Sequence, residues 1–74
     1  ALHSKDNGLY DIHEIIKEAH HYLKAEGWLM FEHGYNQAEA VQNLFQQYGF
    51  SNISTVNDLN HQPRVTMAQY KPVK

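Results

Sequence analysis

The feature that most limits how this chain can fold is a four-residue apolar run, Trp28-Leu29-Met30-Phe31, lying between two stretches of helical periodicity. Before the run, Ile12, Ile15, Ile16, Ala19 and Leu23 recur at three- and four-residue spacing, which is one stripe of an α-helix. After it, Ala38, Val41, Leu44, Phe45 and Tyr48 form a second stripe. The run itself follows Gly27, stops at the charged Glu32 and reads as a short strand. Its unbroken apolarity predicts burial on both faces, as in a parallel sheet covered by helices.

Downstream, Ile53, Thr55 and Val56 mark a second strand over 52–57, β-branched but more polar than the first. Residues 58–63 read as a polar turn. A third strand is predicted over 64–70, with Val65, Thr66, Met67 and Tyr70, and Pro72 ends it. The order helix, strand, helix, strand, strand defines an α/β chain. The strand-helix-strand unit predicts a right-handed crossover and a parallel pair. The short link between the last two strands predicts antiparallel neighbours.

Helix boundaries have their own signals. Asp11 with Glu14 three residues later predicts an N-cap and capping box for the first helix. Lys24 suits the negative end of that helix, and Gly27 is expected to stop it. Asn36 with Glu39 predicts the second N-cap. Gly49 stands where a left-handed residue after a helix is wanted, with Phe50 closing the cap. Residues 1–8 read as a loop ending in the turn signal Lys5-Asp6-Asn7-Gly8.

Composition narrows the function classes. Seventy-four residues allow one small domain and no more, buried to about 60% of its unfolded surface. The lack of cysteine removes disulfides and thiolate metal sites. No apolar run approaches the roughly 20 residues of a membrane span, and no signal peptide is visible. A formal charge of −2 argues against an electrostatic nucleic-acid or membrane binder. Six histidines shift the balance toward positive charge below about pH 6.5. Ala1 rather than Met opens the chain, compatible with processing or with a piece of something longer.

Several short runs carry a resemblance: Gly8-Leu9, Asp11-Ile12, Gly27-Trp28-Leu29, Glu32-His33-Gly34, Gly49-Phe50, Asp58-Leu59 and Arg64-Val65. Together they resemble the carboxyl-terminal end of the HemK/PrmC family, the release-factor glutamine methyltransferases that depend on S-adenosylmethionine. The resemblance runs from Ala1 to about Tyr70 and is sharpest at Leu29-Met30-Phe31-Glu32-His33-Gly34-Tyr35. Glu26-Gly27 departs from it, since the family often has paired glycines there. It implies the carboxyl-terminal part of a Rossmann-like class I methyltransferase sheet, whose last strand is antiparallel and inserted between the two before it. On that reading residues 1–74 are a single partial domain. They supply the fourth helix, the fifth strand, the fifth helix and the sixth and seventh strands of a cytoplasmic enzyme acting on release factors.

The resemblance also defines what these residues lack. The glycine-rich turn and acidic ribose ligand of such cofactor sites are missing, because Gly8, Gly27, Gly34 and Gly49 are scattered. The family's Asn-Pro-Pro-Tyr motif is missing too, since the only prolines are Pro63 and Pro72. In the family that motif accepts hydrogen bonds from the substrate amide and aims its weakly nucleophilic nitrogen at the sulfonium methyl. The expectation is therefore no catalytic residue, no cofactor-binding residue and no activity in this segment alone.

Glu32 and His33 fall at the carboxyl end of the first strand, beside the crevice where open α/β sheets bind ligands. Their functional reading is a supporting or substrate-side role in the parent enzyme. Their plain reading is a strand-end pair bonded to nearby backbone. His13 and His20 share a helical face but lie roughly 10 Å apart along the axis, too far to share one zinc. No metal site is expected, and solvent-facing histidines are. Arg64 could pair with Asp58 across the turn or contact an anionic partner, and a surface pair of little energetic consequence is the expectation. Trp28, Phe31, Phe45 and Phe50 are expected in the core, and Tyr10, Tyr22 and Tyr35 half-buried.

Two other readings remain open at the level of sequence. One is a small non-catalytic α/β interaction module. The other is part of a nucleic-acid N-methyltransferase of the same fold. In the parent fold both helices are expected on one sheet face. That leaves the other face and the edge of the 28–31 strand bare, so the isolated segment is expected to self-associate.

Overall fold

The computed structural model describes residues 8–71. The expected loop over residues 1–7 and the Pro72 stop lie outside the described residues.

The first helix, α1 (Leu9–Lys17), starts two residues before Asp11. Gly8 precedes it with φ 90°, a left-handed backbone that turns the chain into the helix at no side-chain cost. Starting there brings Leu9 against the core, which the Asp11 cap would have left out of the helix. Asp11 lies in the first turn, where its charge still favours the helix dipole. The helix also ends early, at Lys17, and tightens into a 3-10 turn over Ala19–His21. The Tyr22 hydroxyl donates to the Ile15 carbonyl at 2.5 Å, taking one of the acceptors that the helix end orphans.

β1 (Trp28–Glu32), α2 (Ala38–Gln47), β2 (Ser51–Asn57) and β3 (Pro63–Gln69) follow. A 3-10 turn over Tyr35–Gln37 leads into α2, and Asn36 is not its cap. The reason is local: the Gly34 amide donates to Gln37 Oε1 at 2.7 Å, so the turn is closed by Gln37. The far end of α2 is as expected. Gly49 has φ 80°, and the Phe50 amide donates back to the Phe45 carbonyl at 3.0 Å.

The sheet order is β1-β3-β2, with β3 antiparallel to both neighbours. β1 and β2 therefore run parallel but are not a hydrogen-bonded pair, which corrects the expectation from the crossover alone. The inserted antiparallel strand is the arrangement the family resemblance implies. The fold is α/β, consistent with the carboxyl-terminal part of a Rossmann-like methyltransferase sheet.

One core serves the described residues. Ile12, Ile16 and Ala19 meet Val41 and Phe45 of α2, and Phe31, Ala68 and Phe50 complete it. Phe45 is central, with ring centroids 5.9 Å from Phe31 and 5.0 Å from Phe50.

The expectation of two-sided burial for β1 fails. Trp28 is 51% exposed and Met30 59%, whereas Phe31 is 8% exposed. β1 alternates because the core lies on one face of the sheet and no described residue covers the other. Trp28 is thus not a core residue. Tyr10, Tyr22 and Tyr35 are also more exposed than half-buried packing would give.

Candidate functional site at the carboxyl end of β1

Glu32 and His33 end β1 in opposite environments. Glu32 is exposed on the open face, opposite Val65 of β3, and its carboxylate makes no hydrogen bond or ion pair among the described residues. His33 is 8% exposed. Its backbone amide continues the ladder to the Arg64 carbonyl at 2.9 Å.

The His33 ring is held at both nitrogens. Nδ1 lies 2.9 Å from the Gly34 carbonyl oxygen, and Nε2 lies 2.7 Å from Thr66 Oγ1. A carbonyl only accepts, so Nδ1 carries the hydrogen of that bond, and the Nε2 of a neutral ring accepts. Thr66, fully buried on β3, then donates to Nε2. Thr55 of β2 stands 2.8 Å from Thr66, and the Gln42 side-chain amide donates to Thr55 at 2.7 Å. The direction is consistent throughout, from Gln42 through Thr55 and Thr66 to His33 and on to Gly34. It crosses from α2 through β2 and β3 to the residue that follows β1, and no buried side-chain polar atom is left unpaired among the described residues.

A cleft of about 340 Å³ opens here, lined by Glu32, His33, Arg64 and Val65. Arg64 Nε donates to Asp58 Oδ2 at 3.0 Å, as the sequence predicts, and its guanidinium lies 5.9 Å from the centre of the Tyr35 ring. Asp58 also accepts from the Asn60 and Gln62 amides at 2.8 and 3.0 Å. These bonds, the Gln62 one foremost, hold its carboxyl below the ordinary aspartate value.

Sequence reasoning placed Glu32 and His33 at this strand end and missed Thr66, Thr55 and Gln42. A signal existed for Thr66. Strand alternation puts it on the same face as Ala68, and a hydroxyl buried there requires a partner. The other histidines fall elsewhere. His20 and His21 are exposed, with the two rings 4.0 Å apart. His13 is not simply solvent-facing: its Nε2 is 3.0 Å from the Tyr48 hydroxyl, bridging α1 to α2. Among the described residues no three metal-ligating side chains converge.

No family model matches the chain. Curated relatives do. A release factor glutamine methyltransferase of Vibrio cholerae is 46% identical over 71 residues, 96% of this chain and 25% of the relative. One from Buchnera aphidicola subsp. Acyrthosiphon pisum is 48% identical over 69 residues, 93% of this chain and 25% of the relative. One from Francisella tularensis is 46% identical over 69 residues, covering 93% and 24%. The chain matches the carboxyl-terminal part of the release factor glutamine methyltransferases. That is the HemK/PrmC family its motifs resemble, and the chain spans about a quarter of the length of these relatives. Within the Glu32-His33-Gly34 run that carries the resemblance, His33 and Gly34 are the residues tied down by hydrogen bonds.

Proposed function

We propose that residues 1–74 form a single partial domain, the carboxyl-terminal portion of the catalytic domain of a cytoplasmic, S-adenosylmethionine-dependent methyltransferase. Its substrate is the glutamine side-chain amide of peptide chain release factors. One observation carries this reading, namely the match over more than nine-tenths of the chain to proteins of that name. The inserted antiparallel β3 agrees with it.

The described residues do not fit S-adenosylmethionine as a binding set. Gly34 follows β1 where a glycine could let a ligand approach, yet a Cβ there would meet Asn36 Oδ1 and Gln37 Oε1 at 3.2 Å. The space is filled by the chain's own side chains. On this reading the cofactor is held by other residues of the parent enzyme. The role left to this segment is at the substrate side, through Glu32 and His33 at the mouth of the 340 Å³ cleft.

The test uses the full-length methyltransferase with S-adenosylmethionine and a release factor. Mass spectrometry is expected to find one added methyl group on a glutamine side chain. A methyl group on nucleic acid instead, or on no substrate, refutes the reading. The 74-residue chain alone is expected to show no binding in calorimetric titration with S-adenosylmethionine. A 1:1 isotherm of micromolar affinity overturns that part.

A further inference from the structure

The proposed activity does not by itself account for a hydrogen-bonded chain that spans the sheet and ends at one turn. We propose that Thr66, with Thr55 and Gln42 behind it, acts through His33 as a positioning network that fixes the Glu32–Gly34 turn against the protein substrate. This rests on the release-factor reading above.

The geometry argues for positioning rather than for support of the core alone. The core is apolar around Phe45, and a fully buried hydroxyl at position 66 is costly there unless it is hydrogen-bonded. The threonine there reaches 2.7 Å to His33 Nε2 and 2.8 Å to Thr55. The His33 ring in turn holds the Gly34 carbonyl at 2.9 Å, while Gln37 holds the Gly34 amide at 2.7 Å. The Gly34 carbonyl also accepts from the Gln37 backbone amide at 2.9 Å, so side chains supply two of the three bonds that hold Gly34. The peptide leaving β1 is fixed in orientation, and Glu32, one residue before the ring, is fixed with it. Among the described residues the Glu32 carboxylate has no partner, and it lines the cleft, where it is free to contact a substrate. Support of this kind matters because small misplacements of a contacting group cost large factors in rate or affinity.

The experiment compares wild type, Thr66→Val and Thr66→Ser in the full-length methyltransferase, at a temperature where all three are folded. Thr66→Val breaks the network at its centre. It is expected to raise KM for the release factor about tenfold, the scale of losing one hydrogen bond. KM for S-adenosylmethionine is expected to stay unchanged. Thr66→Ser restores the hydroxyl and is expected to return KM most of the way. A core role alone would lower Tm without separating the two substrates. If Thr66→Val leaves both KM values as in wild type, or raises both equally, the network has no positioning role. If Thr66→Val does not fold, Thr55→Val cuts the same chain one bond further from His33 and is read in the same way. If wild type methylates no release-factor glutamine, the function reading fails first and this proposal falls with it. Normal wild-type methylation with unaltered variants sinks the network alone.

Discussion

Asp58 is the residue at which one carboxylate organises the most backbone. It accepts from the Asn60 and Gln62 amides and from Arg64, so the link between β2 and β3 closes around it. The Gln62 bond is the largest cause of its lowered pKa, with the Arg64 bond next. A carboxyl whose pKa is depressed by folding stabilises the fold above its unfolded value of 3.8, and that contribution is lost as pH falls through the folded value. Wild type is therefore expected to exceed Asp58→Asn in urea stability at neutral pH. The gap should close below pH 3.8, where the protonated side chain resembles the amide. A gap that stays constant as pH falls would show that the charge contributes nothing. At this scale the sequence was informative wherever a short-range rule applied. Asp58–Arg64 is a six-residue reach across a turn and could be read. His33–Thr66 joins residues 33 positions apart, so no local pattern announces it.

At the scale of elements, glycine decides two boundaries in different ways. Gly49 after α2 has φ 80° with no atom within 4 Å of where a Cβ would stand. Gly49→Ala should therefore cost only the left-handed backbone penalty, about 1–2 kcal/mol. Gly27 before β1 has no such φ, but a Cβ there would lie 2.9 Å from the Lys24 carbonyl oxygen and 3.3 Å from Leu23. Gly27→Ala must move backbone and should cost more than Gly49→Ala in a denaturant titration. The reverse order would mean that the turn into β1 relaxes freely. Gly49 was legible because a helix stop has a fixed signature ending in a hydrophobic closure. The N-caps were not. Asp11 and Asn36 both fit the pattern, but Gly8 with its left-handed backbone and Gln37 with its side-chain amide competed successfully for the same turns.

For the whole molecule, the decisive property is that, among the described residues, the sheet has one finished face and one bare one. The order of elements could be read from periodicity. The place of β3 between β1 and β2 came only with the family resemblance, since a short link says which strands are neighbours and not which strand lies in the middle. The bare face is the one expected of the segment in isolation, and the unbroken apolar run of β1 reads the same whether or not further elements cover that face. On that face Trp28, Met30 and Val56 are 51%, 59% and 49% exposed, with Met67 opposite Met30 in the register. β1 also has no strand on its outer side among the described residues. Apolar surface beside an unpaired strand edge favours association. The 74-residue chain is therefore expected to sediment as dimers or larger species at high micromolar concentration. Met30→Lys puts a charge at the centre of the bare face while Leu29 and Phe31 keep their places toward the core. It is expected to move the population toward monomer with the circular dichroism spectrum unchanged. A clean wild-type monomer at that concentration would show that the bare face and open edge do not suffice for self-association.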